Sequence, residues 1–171
     1  ERDVKKLEPS LKKEFPRITY TDALKILKDK CKIKVDWGKD LRTVEEDKLS
    51  LLYDTPVIVT HYPKIVKAFY MKEDPKNPKV VFGCDFIAPE SYGEIIGGSE
   101  REPDPKKIIA RLKEQKENPE NYKFYLDTRK YGSVPHSGFG MGVERVIAWI
   151  CGLENIKDAI PYPRTMLRYT P

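Results

Sequence analysis

A glycine-rich segment that ends in an arginine is the clearest candidate for a ligand-binding site in the sequence. It reads Pro135-His136-Ser137-Gly138-Phe139-Gly140-Met141-Gly142-Val143-Glu144-Arg145. Glycine at every second position removes the side chains from one face of an extended strand, so an aromatic base can lie against the backbone. Arg145 then falls in the first turn of the next helix, where a guanidinium and free N–H groups favour phosphate oxygens. A glycine-eased turn with a surface arginine explains the spacing equally well, and neither Walker nor GxGxxG spacing is present.

A second segment, residues 93–102, places an acid and an arginine beside two more glycines. Period-2 alternation predicts that Glu94 and Ile96 share a face. Glu94 suits a magnesium ion that bridges nucleotide phosphates, and Asp85 would add a second oxygen if their two strands form a hairpin. Arg101 can grip a polar side chain or a carboxylate with two hydrogen bonds. The alternative for each of these charges is an exposed surface position.

The sequence has few residues for metal binding by histidine or cysteine, for nucleophilic catalysis or for disulfide bonds. The chain has two histidines, His61 and His136, which excludes a histidine-rich metal site and leaves nucleophilic catalysis without a plausible set of partners. Three cysteines without CxxC spacing indicate neither a disulfide framework nor a zinc site. The aromatic residues near helical spacing are interpreted as core rather than as a base-stacking platform: Tyr122, Phe124, Tyr125 and Tyr131.

The elements that must position these residues predict an α+β fold, an antiparallel sheet with flanking helices. Predicted strands cover residues 56–61, 67–71, 79–87 and 94–98, joined by short polar turns. Predicted helices cover 21–32, 43–53 from the capping pattern Thr43-Val44-Glu45-Glu46, 105–117 with Asp104 as N-cap, a stretch around 122–126, and 143–151 with Gly152 as C-terminal cap. Residues 1–14 have helical spacing without a preceding cap, which indicates that the chain starts inside an element and is a fragment.

Composition and net charge say less about the fold and function than the motifs do. The 171 residues suit one domain, with 39% hydrophobic and 35% charged residues. The net charge is +5, but the basic residues are spread along the chain and interleaved with acids. The charge is therefore weak evidence for RNA binding. No apolar run reaches membrane-spanning length and the first residues do not look like a signal peptide, so we expect a soluble cytoplasmic protein with no membrane partner.

The glycine segments resemble those of the asparaginyl-tRNA synthetases, in the aspartyl/asparaginyl/lysyl group of class II enzymes and of archaeal type. Residues 138–151 are similar to class II motif 3. The asparagine branch is indicated by Tyr62-Pro63 with residues 67–71, by residues 93–102, and by Tyr131 to Gly140. The aspartate branch typically has Ser-Gly-Ala-Gln-Arg and Pro-His-Ala-Gly-Gly runs in those places. The resemblance covers about residues 15–171.

The resemblance implies a class II catalytic core that activates asparagine with ATP and transfers it to the 3′ end of a tRNA. It implies ATP, Mg²⁺, asparagine and tRNA as ligands, and a homodimer in the complete enzyme. The roles that it implies are these: Arg145 holds the triphosphate, Gly142, Val143 and Glu144 line the nucleotide, Glu94 and Asp85 bind magnesium, Arg101 reads the amino-acid side chain, and His136 and Gly140 lie near the amino acid. Related aspartate enzymes often carry a serine where this chain has Gly97, so that position carries less weight.

The same resemblance sets an expectation about what the chain lacks. Motif 1, motif 2 and the anticodon-binding domain do not occur in it, so we expect residues 1–171 to be the C-terminal part of the catalytic domain, inactive alone. Three alternatives stay open. They are a synthetase paralogue that makes asparagine from aspartate, ATP and ammonia, an aspartate-tRNA ligase, and a non-catalytic module that keeps the fold.

Overall fold

A mixed five-stranded sheet forms the centre of the protein, seen in a computed structural model that describes residues 2–168. Its strands lie in the order β1 (Arg17–Thr19), β2 (Val57–Thr60), β5 (Gly83–Ala88), β6 (Gly93–Glu100), β7 (Ser137–Met141). β1 runs parallel to β2, and the other neighbours are antiparallel. A separate two-stranded sheet holds β3 (Glu73–Asp74) and β4 (Asn77–Val81).

Within residues 2–168, six α-helices flank this sheet. They are α1 (Glu8–Lys12), α2 (Tyr20–Cys31), α3 (Thr43–Ser50), α4 (Pro105–Glu114), α5 (Lys123–Lys130) and α6 (Val143–Cys151). Thr19 accepts from the Asp22 N–H at the start of α2, and Asp104 accepts from the Lys106 N–H at the start of α4. Gly152 ends α6 in the left-handed region.

The main core lies between the sheet and the helices α2 and α3. Its fully buried side chains are Tyr20, Ala23, Leu27, Leu49, Val57, Val59, Tyr62 and Ile87, with Leu41 nearly so. Residues paired across strands share a face, so Val57 and Val59 lie on the same face as Ile87 and Asp85. A smaller cluster of Ala88, Ile95 and Trp149 packs α6 against β5 and β6. The helices α2 and α3 thus cover one end of a sheet face whose other end is formed by β6 and β7.

The structure confirms the α+β class but corrects several predicted elements. β5 and β6 do pair as the hairpin on which the role of Asp85 was conditional. The sheet is mixed rather than antiparallel, because the unpredicted three-residue strand β1 runs parallel to β2. The strand predicted over residues 67–71 is wrong, since the turn after the short helix Lys64–Val66 is held by Arg111, which donates to the carbonyls of Lys64 and Lys67.

The remaining corrections concern boundaries. The strand predicted over residues 79–87 divides at Phe82 into β4 and β5, which belong to different sheets. Helices α3 and α4 end at Ser50 and Glu114, three residues earlier than predicted in each case. The predicted helix over residues 1–14 is a 3-10 turn (Val4–Leu7) followed by α1, and Glu1 lies outside the described residues.

The cap at Gly152 gives a direct test of this fold. Its φ is 68°, so Gly152→Ala places a Cβ in the left-handed region, and this Cβ would also lie 2.7 Å from Arg2 Cδ, which must move aside. We expect the conformational part to cost about 1–2 kcal/mol of unfolding free energy. Urea unfolding measures this. Gly140→Ala is a matched control for stability, because its Cβ would meet nothing within 4 Å and its φ lies outside that region. Equal stabilities for the two variants would contradict the assigned cap.

Candidate active site

Glycines leave one face of the sheet with few side chains across β6 and β7. Gly97 pairs with Gly140, and Ser99 pairs with Gly138, so these four positions point to the same side. A Cβ added at Gly140 would meet nothing within 4 Å, which leaves open space above the strand. The predicted bare backbone is therefore present, and it extends from β7 onto Gly97 of the neighbouring strand.

Glu94 reaches this face because of an irregularity in the β5–β6 pairing. Phe86 pairs with Ile96 and Ile87 pairs with Glu94, so the register shifts and Ile95 has no opposite residue. One extra residue resets the alternation, and Glu94 and Ile96 point to opposite faces. The prediction that they share a face is wrong. Instead, the Glu94 Oε1 atom lies 2.5 Å from where a Cβ of Gly97 would be.

Asp85 also points toward Gly97, but its carboxylate is already paired with Lys67. Its Oδ1 atom lies 3.5 Å from that Cβ position at Gly97, while its Oδ2 accepts a hydrogen bond from Lys67 Nζ at 2.7 Å. Both side chains of this pair are nearly buried, and Lys67 Nζ also stands 3.9 Å above the centre of the Tyr62 ring. Sequence reasoning assigned Lys67 no role, because it was placed in a strand that does not form.

The two carboxylates fit a magnesium ion of the kind that accompanies nucleotides. Burial, and next the charge of Asp85, raise the pKa of Glu94, so a cation between them would relieve an unfavourable arrangement. No set of three or more metal-ligating side chains occurs within residues 2–168. Such an ion would therefore rest on Glu94 and Asp85 and complete its shell with water and phosphate oxygens, as magnesium commonly does.

Arg145 lies at the predicted place in the first turn of α6. Its Nη1 donates to the Glu94 carbonyl at 2.8 Å, and its stem passes 3.5 Å from the Cβ position of Gly142. The side chains of Val143 and Glu144 are exposed at the same helix start. The guanidinium is therefore held beside the strand that carries Glu94, next to the glycine-lined face.

Arg101 lies at the other end of this face. Its Nη2 is 2.9 Å from the Cβ position of Gly138, its Nη1 donates to Ser99 Oγ at 2.6 Å, and its guanidinium stacks on the Tyr70 ring at 4.5 Å. His136 contributes its carbonyl to the Arg101 N–H at 2.9 Å, whereas its ring nitrogen contacts the Val134 carbonyl. The structure thus brings Glu94, Arg101 and Arg145 to the border of one glycine-lined face.

Glu46 of α3 is an additional acid at this site that the sequence did not reveal. Its Oε2 and the Arg145 Nη1 lie 3.5 and 3.6 Å from the Cβ position of Gly93. Burial, and next the charge of Glu94, raise the pKa of Glu46 to about 7. The sequence predicts Glu46 only as the last residue of a capping pattern that begins at Thr43, and in the structure the capping contact is made by Arg42 and Glu45 instead.

Comparison with known proteins defines the class of protein that has this fold and site. The model of the family described as tRNA synthetases class II (D, K and N) matches residues 2–166. The chain belongs to this family.

Within the family, the chain is similar to proteins that are named for asparagine and to one that is named for aspartate. The asparagine–tRNA ligase of Pyrococcus abyssi is 53% identical over 157 residues, which cover 92% of this chain and 36% of that protein. A crystal structure of asparaginyl-tRNA synthetase from Pyrococcus horikoshii, complexed with asparaginyl-adenylate, matches with a TM-score of 0.89 and 51% identity over 95% of this chain and 38% of its own. The aspartyl tRNA synthetase from Entamoeba histolytica matches with a TM-score of 0.85 but only 28% identity, over 93% of this chain and 33% of its own.

Cys31, Cys84 and Cys151 are free thiols. Within residues 2–168 every helix is too short or too polar to cross a membrane.

Glu46 provides a test of the electrostatics of the site. Because the folded protein raises the pKa of Glu46 from 4.5 to about 7, the ionised carboxylate destabilises the folded state increasingly as the pH rises through that interval. We expect Glu46→Gln to be more stable than the unchanged chain by about 1 kcal/mol at pH 8, after allowance for solvent screening, and by much less at pH 5. Urea unfolding at both values measures this.

The exposed Glu120→Gln serves as the control and should differ little from the unchanged chain at either pH. A Glu46→Gln variant that is less stable at both pH values would show that the carboxylate is stabilised by its surroundings.

Proposed function

We propose that the chain forms part of the catalytic domain of an asparagine–tRNA ligase, including motif 3 at about residues 138–151. The observation that carries the proposal is the glycine-lined face bordered by Glu94, Arg101 and Arg145, in a chain that is 53% identical to an asparagine–tRNA ligase. The chain spans 36% of the length of that relative, so the activity described below belongs to the full gene product that carries it.

The reaction has two group transfers. An asparagine carboxylate oxygen attacks the α-phosphorus of ATP, the bond to the β-phosphate oxygen breaks, and pyrophosphate leaves. A ribose hydroxyl at the tRNA 3′ end then attacks the acyl carbon, and AMP leaves with the bonding electrons. Neither step needs a side-chain nucleophile, so catalysis depends on alignment and on neutralising phosphate charge.

The residues of this chain have distinct parts in that alignment. Gly142, Val143 and Glu144 line the nucleotide, Gly140 lies near the amino acid, and Arg145 binds the terminal phosphates at the start of α6. A magnesium ion bound by Glu94 and Asp85 would neutralise phosphate charge. Arg101 holds the amino-acid side chain, with the carbonyl of His136 fixing the arginine backbone.

The remaining expectations follow from this role. The gene product would be a cytoplasmic homodimer that binds tRNA, ATP and asparagine. In this scheme Arg101 binds the amino-acid side chain and Arg145 binds the terminal phosphates, so neither arginine can bind the α-phosphate. We therefore expect residues 1–171 alone to show no aminoacylation. The higher identity to the asparagine structure than to the aspartate structure, 51% against 28%, favours asparagine as the amino acid.

A substrate comparison tests the function. We expect the full gene product to exchange pyrophosphate into ATP with asparagine and to charge tRNA with it, and to be far less active with aspartate. Asparagine formation from aspartate, ATP and ammonia without tRNA would favour the biosynthetic paralogue instead. Absence of ATP binding would favour a non-catalytic module.

Arg145→Ala tests the triphosphate role. Loss of a charged hydrogen-bonding partner is expected to raise the KM for ATP by about tenfold or more, while the KM for asparagine changes little. Pyrophosphate exchange measures both constants. The control is Arg17→Ala, an exposed arginine on β1 at the opposite edge of the sheet. An unchanged KM for ATP in Arg145→Ala would remove this arginine from the nucleotide site.

A further inference from the structure

Arg129 of α5 is a buried arginine that has no role in the proposed reaction. Its exposed fraction is 8%, and its guanidinium donates to three uncharged oxygens: the Glu102 carbonyl at 3.2 Å, Thr128 Oγ1 at 2.6 Å and the Tyr125 hydroxyl at 2.5 Å. It also stacks on the Tyr125 ring at 4.1 Å. Burying a cation with uncharged partners is costly, so its retention calls for a specific explanation.

One connection from Arg129 leads through aromatic rings to Arg101. The Tyr125 ring that Arg129 holds packs against Tyr70 with ring centres 6.3 Å apart, and Tyr70 is the ring on which Arg101 stacks. Phe69 contacts both tyrosines edge to face, at 5.4 Å from Tyr70 and 5.8 Å from Tyr125. Movement of Tyr125 would therefore remove support from the surface beneath the Arg101 guanidinium.

A second connection runs through the backbone. Arg129 Nε binds the Glu102 carbonyl, and the Glu102 N–H donates to the Tyr70 carbonyl at 2.9 Å. The adjacent Arg101 N–H donates to the His136 carbonyl at 2.9 Å. The chain at residues 101–102 is therefore held on both sides just where β6 ends, and Arg129 supplies one of those anchors.

We propose that Arg129 is a positioning residue that fixes the Arg101 guanidinium in the geometry needed to read the amino-acid side chain. This inference rests on the proposed function for its substrate, but its structural part concerns Arg101 alone. A planar guanidinium can bind a carbonyl and a hydroxyl while it stacks on a ring, which a lysine ammonium cannot reproduce. The positive charge of Arg129 is therefore not sufficient for this role.

The kinetic test uses the full gene product with Arg129→Lys, Arg129→Met and the milder Tyr125→Phe, which keeps the ring and removes the hydroxyl. We expect the two Arg129 variants to raise the KM for asparagine by about tenfold and Tyr125→Phe by a few-fold, with the KM for ATP unchanged. The control is Lys123→Gln, an exposed cation on the same helix. A lysine variant with normal kinetics, or an equal effect on both substrates, would overturn the proposal.

A spectroscopic test separates this inference from the proposed function. With ¹⁵N-labelled arginine, the Arg101 Nε–H resonance, assigned through Arg101→Lys, is expected to be distinct in the unchanged protein and to move toward the solvent-exposed arginine signals in Arg129→Met and, less far, in Tyr125→Phe. An unmoved resonance would overturn the positioning role. If the resonance moves but the unchanged protein shows no asparagine-dependent exchange, the positioning stands and the proposed function fails.

Discussion

The register shift between β5 and β6 is the constraint on which the glycine-lined face depends. Without the extra residue at Ile95, strict alternation would turn Glu94 to the face of Ile96 and Phe86, away from Asp85. With it, Glu94 lies over Gly97, on the side where β7 also presents glycines. The same shift leaves the Glu94 carbonyl available to Arg145, so one backbone irregularity connects the acid, the bare floor and the arginine of α6.

Electrostatic strain accompanies this arrangement. Glu46, Glu94 and Asp85 approach one another from α3, β6 and β5, and burial raises the pKa of both glutamates. Lys67 neutralises Asp85, while Arg145 binds a carbonyl rather than a carboxylate. A set of acids optimised for the folded state alone would be paired more completely, which is why unpaired acids in a cleft point to a ligand with positive charge.

Local sequence patterns predicted the parts of the structure that depend on local rules. The Gly138-Gly140-Gly142 spacing and the caps at Asp104 and Gly152 follow from backbone preferences within a few residues. The register shift did not follow, because nothing in Ile95-Ile96 distinguishes a regular strand from one with an extra residue. Glu46 and Lys67 were missed for a related reason, since their partners Glu94 and Asp85 are distant in the chain and are reached only through helix–sheet packing and a tight turn.

Gly97 illustrates how a position of little apparent interest in sequence acquires a physical role in the structure. Its lack of a side chain is what allows Glu94 Oε1 to lie within 2.5 Å of the Cβ position, closer than real Cβ contacts permit. If residue 97 were a serine, the glutamate would have to take another rotamer, or the hydroxyl would have to replace part of its contact. A hydroxymethyl group at this point would change the space above the strand and the direction of the neighbouring carboxylate together. The glycine is thus part of the geometry of the acid site, although it contributes no functional group.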